Sequence, residues 1–384
     1  MHLADITMFW GPASGGVRRY ILAKRAYCAA HTGLRHSLVV PGAQSARTDE
    51  GVLTTRTVQA LPIGKGYRFP LRAQPWINAL IELKPDVIEA GDPYRLAWAA
   101  MAAGRSLDVP VVGFFHSDLT RMTALRFGGW TRAPIKRYIQ HLYGHMDWVF
   151  APSQIMTERL HGLGLRRVST QPLGVDTDMF TPERRDDAMR ARLGIPADAR
   201  LLVYAGRNAI EKNLKVLFDA VRHLGAPYHV LLIGPDMPRP ADIAHTVVDF
   251  VADPVVLAGL LASCDALVHA GDQETFGLVI AEGMAAGLPV IGVNSGAVPE
   301  LVDESVGALA QPNNPTAFAA AIDSVFARNP QALGAAARAR VVASFGWSAR
   351  FEPMLSDLRQ LCLRGEIQPA DRPPSPHPEH LSHE

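Results

Sequence analysis

Residues 265–294 read DALVHAGDQETFGLVIAEGMAAGLPVIGVN and contain two short apolar runs on either side of a helix-forming segment. The runs at 265–271 and 288–294 predict buried strands, and the segment at 278–286 predicts the helix between them. Gly287 and Pro289 are residues that end helices. A strand, a helix and a second strand in this order indicate one unit of a parallel sheet.

The same alternation continues through both halves of the chain. Further strands are predicted before the glycine loop at 11–16 and at 36–42, 85–91, 109–116, 147–153, 199–207, 228–235 and 245–250. Further helices are predicted at 17–31, 75–83, 94–105, 133–145, 213–223, 255–264, 316–326 and 347–364. Apolar strands alternating with helices are typical of parallel sheets that are covered on both faces. The expected fold class is therefore α/β.

A chain of 384 residues is too long for one ordinary core, so two domains are expected. The alternation breaks at QPLGVDTDMFTPE (171–183), which we interpret as the linker between them. The predicted first domain is 1–172 together with the final helix at 346–364, and the predicted second domain is 173–345. The proline-rich and charged segment 366–384 is predicted to be disordered.

Composition excludes several classes of protein. Apolar residues make up 48% and charged residues 20%, which is typical of a globular protein. Three scattered cysteines argue against a disulfide framework or a zinc site. The N-terminus does not resemble a signal peptide, and no apolar run is long enough to span a bilayer. We therefore expect a cytoplasmic protein.

Charge is distributed unevenly along the chain. Residues 1–174 hold 21 Lys+Arg against 11 Asp+Glu, a balance of +10, and the remainder holds 17 against 26, a balance of −9. Such asymmetry indicates either an anionic partner for the basic half or arginines spread over several solvated faces.

The most informative motif places two acids eight residues apart, at Glu274 and Glu282. Glu274 precedes the predicted start of a helix, where free backbone amides and the helix dipole favour an anion. Gly277 allows the backbone to approach a ligand closely. Glu282 lies in an otherwise apolar helix, where an unpaired carboxylate would be costly, so it is expected to hold a polar group such as a ribose diol.

A second motif, AGRNAIEKN, contains Arg207 and Lys212 between a predicted strand and a helix. The two cations are expected to converge on one diphosphate and to stabilise the charge that develops when it leaves. The alternative is a pair of surface cations flanking a turn.

Two weaker signals lie in the first half. Gly15 and Gly16 form a glycine loop after the first strand, with a spacing that departs from the GxGxxG fingerprint of dinucleotide-binding proteins. His116 follows an apolar strand, and ligands gather at the carboxyl ends of strands in open α/β sheets.

Together these residues resemble family 4 of the glycosyltransferases, a group of retaining enzymes with the GT-B fold. The resemblance extends from the glycine loop to the helix near Trp347, and its most specific parts are the GR…EKN segment and the two spaced glutamates. It implies two Rossmann-like domains that face each other across a cleft, with the last helix crossing back to the first domain. It also implies no metal and no cofactor, the nucleotide diphosphate sugar being a co-substrate.

The resemblance assigns roles to individual residues. Arg207 and Lys212 would contact the donor diphosphate, Glu274 the transferred sugar, and His116 the sugar near its reacting carbon. The donor would also meet Gly15, Gly16, the backbone amides of Phe276, Gly277 and Leu278, and the Glu282 carboxylate, which would hold the ribose.

The resemblance suggests GDP-mannose or a UDP-hexose as donor and a lipid or saccharide as acceptor, with no nucleic-acid partner. Residues 121–138 mix arginines with large apolar side chains, so this segment either rests on an anionic membrane surface or packs as ordinary amphipathic helices. The alternatives for the whole chain are a nucleotide-sugar epimerase of the same fold, a non-catalytic nucleotide-sugar-binding subunit, and an NAD-dependent oxidoreductase, which would need the missing GxGxxG.

Overall fold

The computed structural model describes residues 1–11, 14–64 and 66–365. The predicted disordered tail, 366–384, lies outside the described residues. Two large sheets account for most of the strands, one built from each half of the chain.

The described residues of the first half form ten strands. They are β1 (His2–Ile6), β2 (Arg35–Gly42), β3 (Ala46–Glu50), β4 (Leu53–Gln59), β5 (Leu61–Gly64), β6 (Tyr67–Phe69), β7 (Val87–Ala90), β8 (Val111–Phe114), β9 (Trp148–Ala151) and β10 (Val168–Thr170). Eight form a sheet in the order β10-β9-β8-β7-β1-β2-β4-β3, and β5 and β6 form a separate hairpin. All neighbours in the eight-stranded sheet are parallel except β3 and β4, which are antiparallel.

Helices of the first half cover both faces of this sheet. They are α1 (Gly16–Ala30), α2 (Gln74–Leu83), α3 (Arg95–Leu107), α4 (Leu119–Phe127), α5 (Arg132–Gly144) and α6 (Gln154–Gly162). Local sequence fixes several helix starts, because Asp118 and Ser153 accept backbone hydrogen bonds from the first turns of α4 and α6.

The second half forms a six-stranded, fully parallel sheet. Its strands are β11 (Arg200–Ala205), β12 (Tyr228–Ile233), β13 (His245–Val248), β14 (Ala266–Val268), β15 (Val290–Val293) and β16 (Gly307–Ala310), in the order β13-β12-β11-β14-β15-β16. After Arg200 in β11 and His229 in β12, both strands are continuous, buried apolar runs, as expected for strands covered on both faces.

Between the linker and residue 365 the structure has eight α-helices. They are α7 (Met189–Arg192), α8 (Leu214–Leu224), α9 (Pro254–Ala262), α10 (Leu278–Ala285), α11 (Val298–Leu301), α12 (Pro315–Ala327), α13 (Pro330–Ser344) and α14 (Trp347–Arg364). The last of these returns to the first half, where Met354 and Phe351 pack against Tyr20 of α1.

The hydrophobic core explains how the halves are joined. One cluster of buried side chains contains residues of both sheets together with Leu173, Val175 and Phe351 from the linker and α14. Two further clusters lie on the outer faces, one in each half. The linker is therefore part of the core, and Val175 donates its amide to the carbonyl of Phe345 at 2.7 Å.

The predicted α/β class is confirmed, and α14 has the predicted bounds. Strands β3 and β4 were not predicted, because ARTDE is fully exposed and LTTRTVQ is largely polar, so neither forms an apolar run. Helix α4 was not among the predicted helices, although amphipathic helices were one of the two alternatives given for residues 121–138. The domain boundaries at 172 and 345 stay a prediction. No helix within the described ranges is both long and apolar enough to cross a bilayer.

Candidate active site

The predicted site residues lie where the carboxyl ends of the two sheets face each other. Thr275, in the loop after β14, donates its hydroxyl hydrogen bond to the carbonyl of His116, which follows β8, at 2.9 Å. A Cβ atom placed on Gly16 at the start of α1 would lie 3.8 Å from the side chain of Leu278 at the start of α10. Motifs more than 150 residues apart in sequence, such as His116 and Thr275, therefore line one cleft.

The start of α10 is shaped for an anion. Gly277 occupies the N-cap position with φ +96°, a left-handed conformation that glycine adopts without strain. No side chain caps the helix, so its first backbone amides are available to a ligand. Phe276 is buried and packs against Phe345, which anchors the loop beneath these amides.

Glu274 lies between two basic side chains. The ammonium of Lys212 donates to its Oε1, and the Nε2 of His269 lies 2.9 Å from the same oxygen. Burial alone would raise the pKa of Glu274, but the charge of Lys212 and the contact with His269 outweigh it and hold this pKa well below its usual range. Glu274 is therefore held in its ionised form at neutral pH.

Arg207 lies on the surface and pairs with a neighbouring acid. It follows β11 in the same loop as Lys212, but its side chain is 63% exposed and pairs with Glu211 at 3.1 Å. Among the described residues, its recorded side-chain contact is with this neighbour and not with Lys212 or Glu274. The structure thus places both predicted cations beside the cleft without bringing them into contact.

Glu282 is buried as predicted, with 1% of its surface exposed. Its Oε1 accepts a hydrogen bond from Arg19 of α1, on the opposite side of the cleft, whereas Oε2 is buried without a hydrogen-bond partner among the described residues. Burial raises the pKa of Glu282, and the charge of Arg19 only partly opposes this. The free oxygen can accept from a ligand hydroxyl.

The imidazole of His116 packs against two aromatic rings. Its imidazole stacks on Phe114 with centroids 4.2 Å apart and meets the Tyr20 ring at 5.1 Å. The hydroxyl of Tyr20 donates a hydrogen bond to Glu89, and the buried ammonium of Lys24 donates to the same carboxylate. Burial lowers the pKa of His116 to about 3, so the ring is neutral. Its Nε2 is buried and has no hydrogen-bond partner in the described part of the chain.

The two halves are also tied together beside the cleft. Both carboxylate oxygens of Glu300, in α11, accept backbone hydrogen bonds at 2.8 Å from Gln154 and Ile155 at the start of α6. Arg121 donates to the carbonyl of Asp272 at 3.4 Å. The structure is thus a closed arrangement in which an acid from one half caps a helix of the other.

Sequence reasoning missed three of these participants. Arg19 and Glu300 act across the cleft, and contacts between residues 263 and 146 positions apart leave no local pattern. His269 was not singled out from the sequence. Its position at the end of an apolar strand, the same signal that identified His116, could have indicated a role.

Two family descriptions match this chain. Residues 14–179 match "Glycosyltransferase Family 4" and residues 185–340 match "Glycosyl transferases group 1". Together the matches include every predicted site residue.

Two curated relatives align with most of this chain and with most of their own length. A GDP-mannose-dependent alpha-(1-6)-phosphatidylinositol dimannoside mannosyltransferase of Mycobacterium tuberculosis is 29% identical over 94% of this chain and 97% of its own length. A D-inositol 3-phosphate glycosyltransferase of Xylanimonas cellulosilytica is 31% identical over 69% of this chain and 70% of its own.

Solved structures show the same fold. Sucrose-phosphate synthase from Thermosynechococcus elongatus superposes with a TM-score of 0.78 at 22% identity, over 94% of this chain and 99% of that one. Anabaena HepE in complex with UDP and glucose gives 0.74 at 18%, over 94% and 99%. The predicted GT-B fold is thereby confirmed. With its two facing sheets, its crossing helix and both family matches, the chain belongs to the family 4, or group 1, glycosyltransferases.

Proposed function

We propose that this glycosyltransferase moves a hexosyl group, with retention of configuration, from GDP-mannose or a UDP-hexose to a lipid or saccharide acceptor. The observation that carries the proposal is the cleft itself, where Lys212, Glu274 and His116 lie beside the uncapped start of α10. The named relatives use GDP-mannose in one case and bind UDP and glucose in another, which supports both donor classes.

The donor fits the cleft as follows. The diphosphate lies against the amides of Gly277 and Leu278 and against the side of the cleft formed by Gly15 and Gly16. The free oxygen of Glu282 accepts from a ribose hydroxyl, and the free Nε2 of His116 faces a sugar hydroxyl. Each assignment gives a buried polar atom the partner that it lacks in the free protein.

Departure of the nucleoside diphosphate builds negative charge on its phosphate oxygens. Lys212 and Arg207, with the amides at the start of α10, stabilise that negative charge. We therefore propose that transfer needs no metal ion and no cofactor. The neutral His116 cannot supply a positive charge to this step, so its role is to orient the sugar.

Retention is proposed to proceed by substitution on the face from which the diphosphate leaves. Glu274, the acid expected near the sugar, has Oε1 occupied by Lys212 and in contact with His269, which suits a hydroxyl acceptor better than an attacking nucleophile. The leaving phosphate can then help to remove the proton of the acceptor hydroxyl.

An exposed segment in the first half of the chain supports contact with a membrane surface. Helix α4 and the following turn expose Phe127 and Trp130, at 58% and 76%, in the first half of the chain. The exposed basic side chains beside them are Arg126, Arg132, Lys136 and Arg137. Aromatic and cationic side chains on one exposed segment bind anionic interfaces. We propose that the protein lies peripherally on such a surface, where a lipid acceptor would be presented.

Purified protein incubated with GDP-mannose, UDP-glucose and a panel of lipid and sugar acceptors tests the transfer. Product with the same anomeric configuration as the donor, formed in the presence of EDTA, is expected. Inverted product, conversion of the donor to an epimer, or donor binding without any transfer or hydrolysis would each contradict the proposal.

The membrane contact has its own test. The double variant Phe127→Ser/Trp130→Ser should lose most of its co-sedimentation with vesicles containing phosphatidylglycerol, while the control Leu363→Ser, which removes an exposed apolar side chain of α14, should bind as the parent does. Equal binding by both variants, or no binding by the parent, would contradict a surface on α4.

A further inference from the structure

Glu274 has two basic neighbours, and both meet the same oxygen. The ammonium of Lys212 and the Nε2 of His269 lie at Oε1, whereas Oε2 accepts no hydrogen bond from the described residues. The side chain of Glu274 retains 15% exposure. The arrangement therefore anchors one oxygen of the carboxylate and leaves the other for the cleft.

The two neighbours differ in how firmly they are placed. Lys212 reaches Glu274 through a flexible side chain from a short 3-10 turn (Ile210–Lys212). His269 directly follows β14, is 1% exposed, and donates its backbone amide to the carbonyl of Ile291 at 2.8 Å, which continues the strand pairing. Its ring lies parallel to that of Tyr204 with centroids 6.5 Å apart.

The surroundings keep the imidazole against the acid. A Cβ atom on Gly271 would lie 2.9 Å from His269 Nε2 and 3.0 Å from the carbonyl of Glu211. Only a residue without a side chain therefore fits at this position without moving the ring. Among the described residues, the buried Nε2 makes its close charged contact with Glu274, at 2.9 Å, and has no other hydrogen-bond partner.

Donor binding changes what each neighbour can do. A bound diphosphate competes with Glu274 for the ammonium of Lys212, because both are anions beside the same cation. We propose that His269 is a positioning residue, which holds Oε1 of Glu274 when Lys212 turns to the diphosphate and thereby aims Oε2 at a hydroxyl of the transferred sugar. This inference rests on the proposed function, because it deepens the role of Glu274 in the donor site.

His269→Phe removes the contact and keeps a flat ring. The expected result is a decrease in kcat of tenfold or more with the nucleotide sugar that supports turnover of the parent, GDP-mannose or UDP-glucose, while the Kd for GDP or UDP, which carry no sugar, stays within twofold. His269→Gln, whose amide can donate to the carboxylate, should recover part of kcat. Gly271→Ala, whose Cβ would lie 2.9 Å from the imidazole and 3.3 Å from the Cα of Lys212, should also lower kcat.

Two comparisons separate positioning from a general loss of structure. The control His229→Phe changes another buried histidine of the same sheet. His229 lies near the amino-terminal end of β12, whereas the cleft lies at the carboxyl ends of the strands, so kcat and nucleotide affinity should both be unchanged. In a Glu274→Gln background, His269→Phe should cost little more, since the residue acts through that carboxylate.

An equal loss of GDP or UDP affinity in His269→Phe, an additive loss in the double variant, or an unchanged kcat would overturn the assignment. Absence of nucleotide binding and of transfer in the parent protein would instead overturn the proposed function. Circular dichroism shows whether each variant folds. If His269→Phe does not fold, the kcat values of His269→Gln and Gly271→Ala decide the outcome.

Discussion

Lys212→Ala tests the charge that the cleft presents to the leaving group. The ammonium of Lys212 is mostly shielded, with 18% of its side chain exposed, and in the free protein it contacts Glu274. Two unit charges 4 Å apart interact by about 4 kcal/mol at the effective dielectric constant of about 20 that applies near a protein surface. Removing one preorganised donor from such a site costs about 2.7–4 kcal/mol in the transition state, or about 10²- to 10³-fold in kcat.

The effect on KM should be smaller than the effect on kcat. In the ground state the diphosphate must share the ammonium with Glu274, so part of the attraction is already used before the donor binds. As the bond to the sugar breaks, charge accumulates on the phosphate and the interaction grows. We therefore expect KM for the donor to rise by less than about tenfold.

The assay is initial-rate release of nucleoside diphosphate at varied donor concentration, with Lys215→Ala as the control. Lys215 is 86% exposed and pairs with Asp219 one helical turn away, so its removal should change stability by no more than about 0.5 kcal/mol and kcat not at all. A value of kcat for Lys212→Ala within threefold of the parent would refute the leaving-group role.

Two further predictions concern pH and closure. Because the pKa of His116 is lowered from 6.5 to about 3 in the folded protein, the unfolded chain binds a proton below pH 6.5 that the folded chain does not. Between pH 6.5 and 5 the free energy of unfolding in urea should therefore fall by about 1.5 kcal/mol more for the parent than for His116→Gln. An equal decrease in both proteins would contradict the burial of a neutral ring. Glu300→Ala should remove the acid that caps α6 from across the cleft, costing about 1–2 kcal/mol and increasing the radius of gyration in small-angle scattering, whereas Glu304→Ala, which changes an exposed acid nearby, should leave the radius unchanged.

Much of the fold followed from the sequence because its buried strands are continuous apolar runs. β12 and β15 are fully buried, and such runs are visible without any knowledge of their neighbours. Strands β3 and β4 lie at the edge of the first sheet, where exposed faces accept polar residues and the apolar signal disappears. Their pairing depends on the partner strand, which a local pattern cannot report.

The candidate site was predictable where its chemistry is local. Glu282 could be identified as special because a carboxylate in an apolar helix demands a partner, and the structure supplies one. That the partner is Arg19 was not predictable, since the approach of α1 to α10 is set by how two domains pack. The roles assigned to the site residues from the sequence stay predictions, and the variants described above address them.

Both acids of the glutamate motif are neutralised before any donor arrives, and this determines how the cleft can use its charges. Glu274 is held by Lys212 from its own half, and Glu282 by Arg19 from the opposite half. With the donor placed as proposed, phosphate oxygens would replace the contact between Lys212 and Glu274, whereas a ribose hydroxyl would meet the unpaired Oε2 of Glu282, so the net gain in binding free energy at Lys212 would be small. The gain increases only when negative charge develops on the departing diphosphate, because the carboxylates do not change while the phosphate becomes the stronger partner for the cation. With the proposed roles, the enzyme would bind its donor moderately and direct its electrostatic stabilisation to the transition state, where it accelerates transfer.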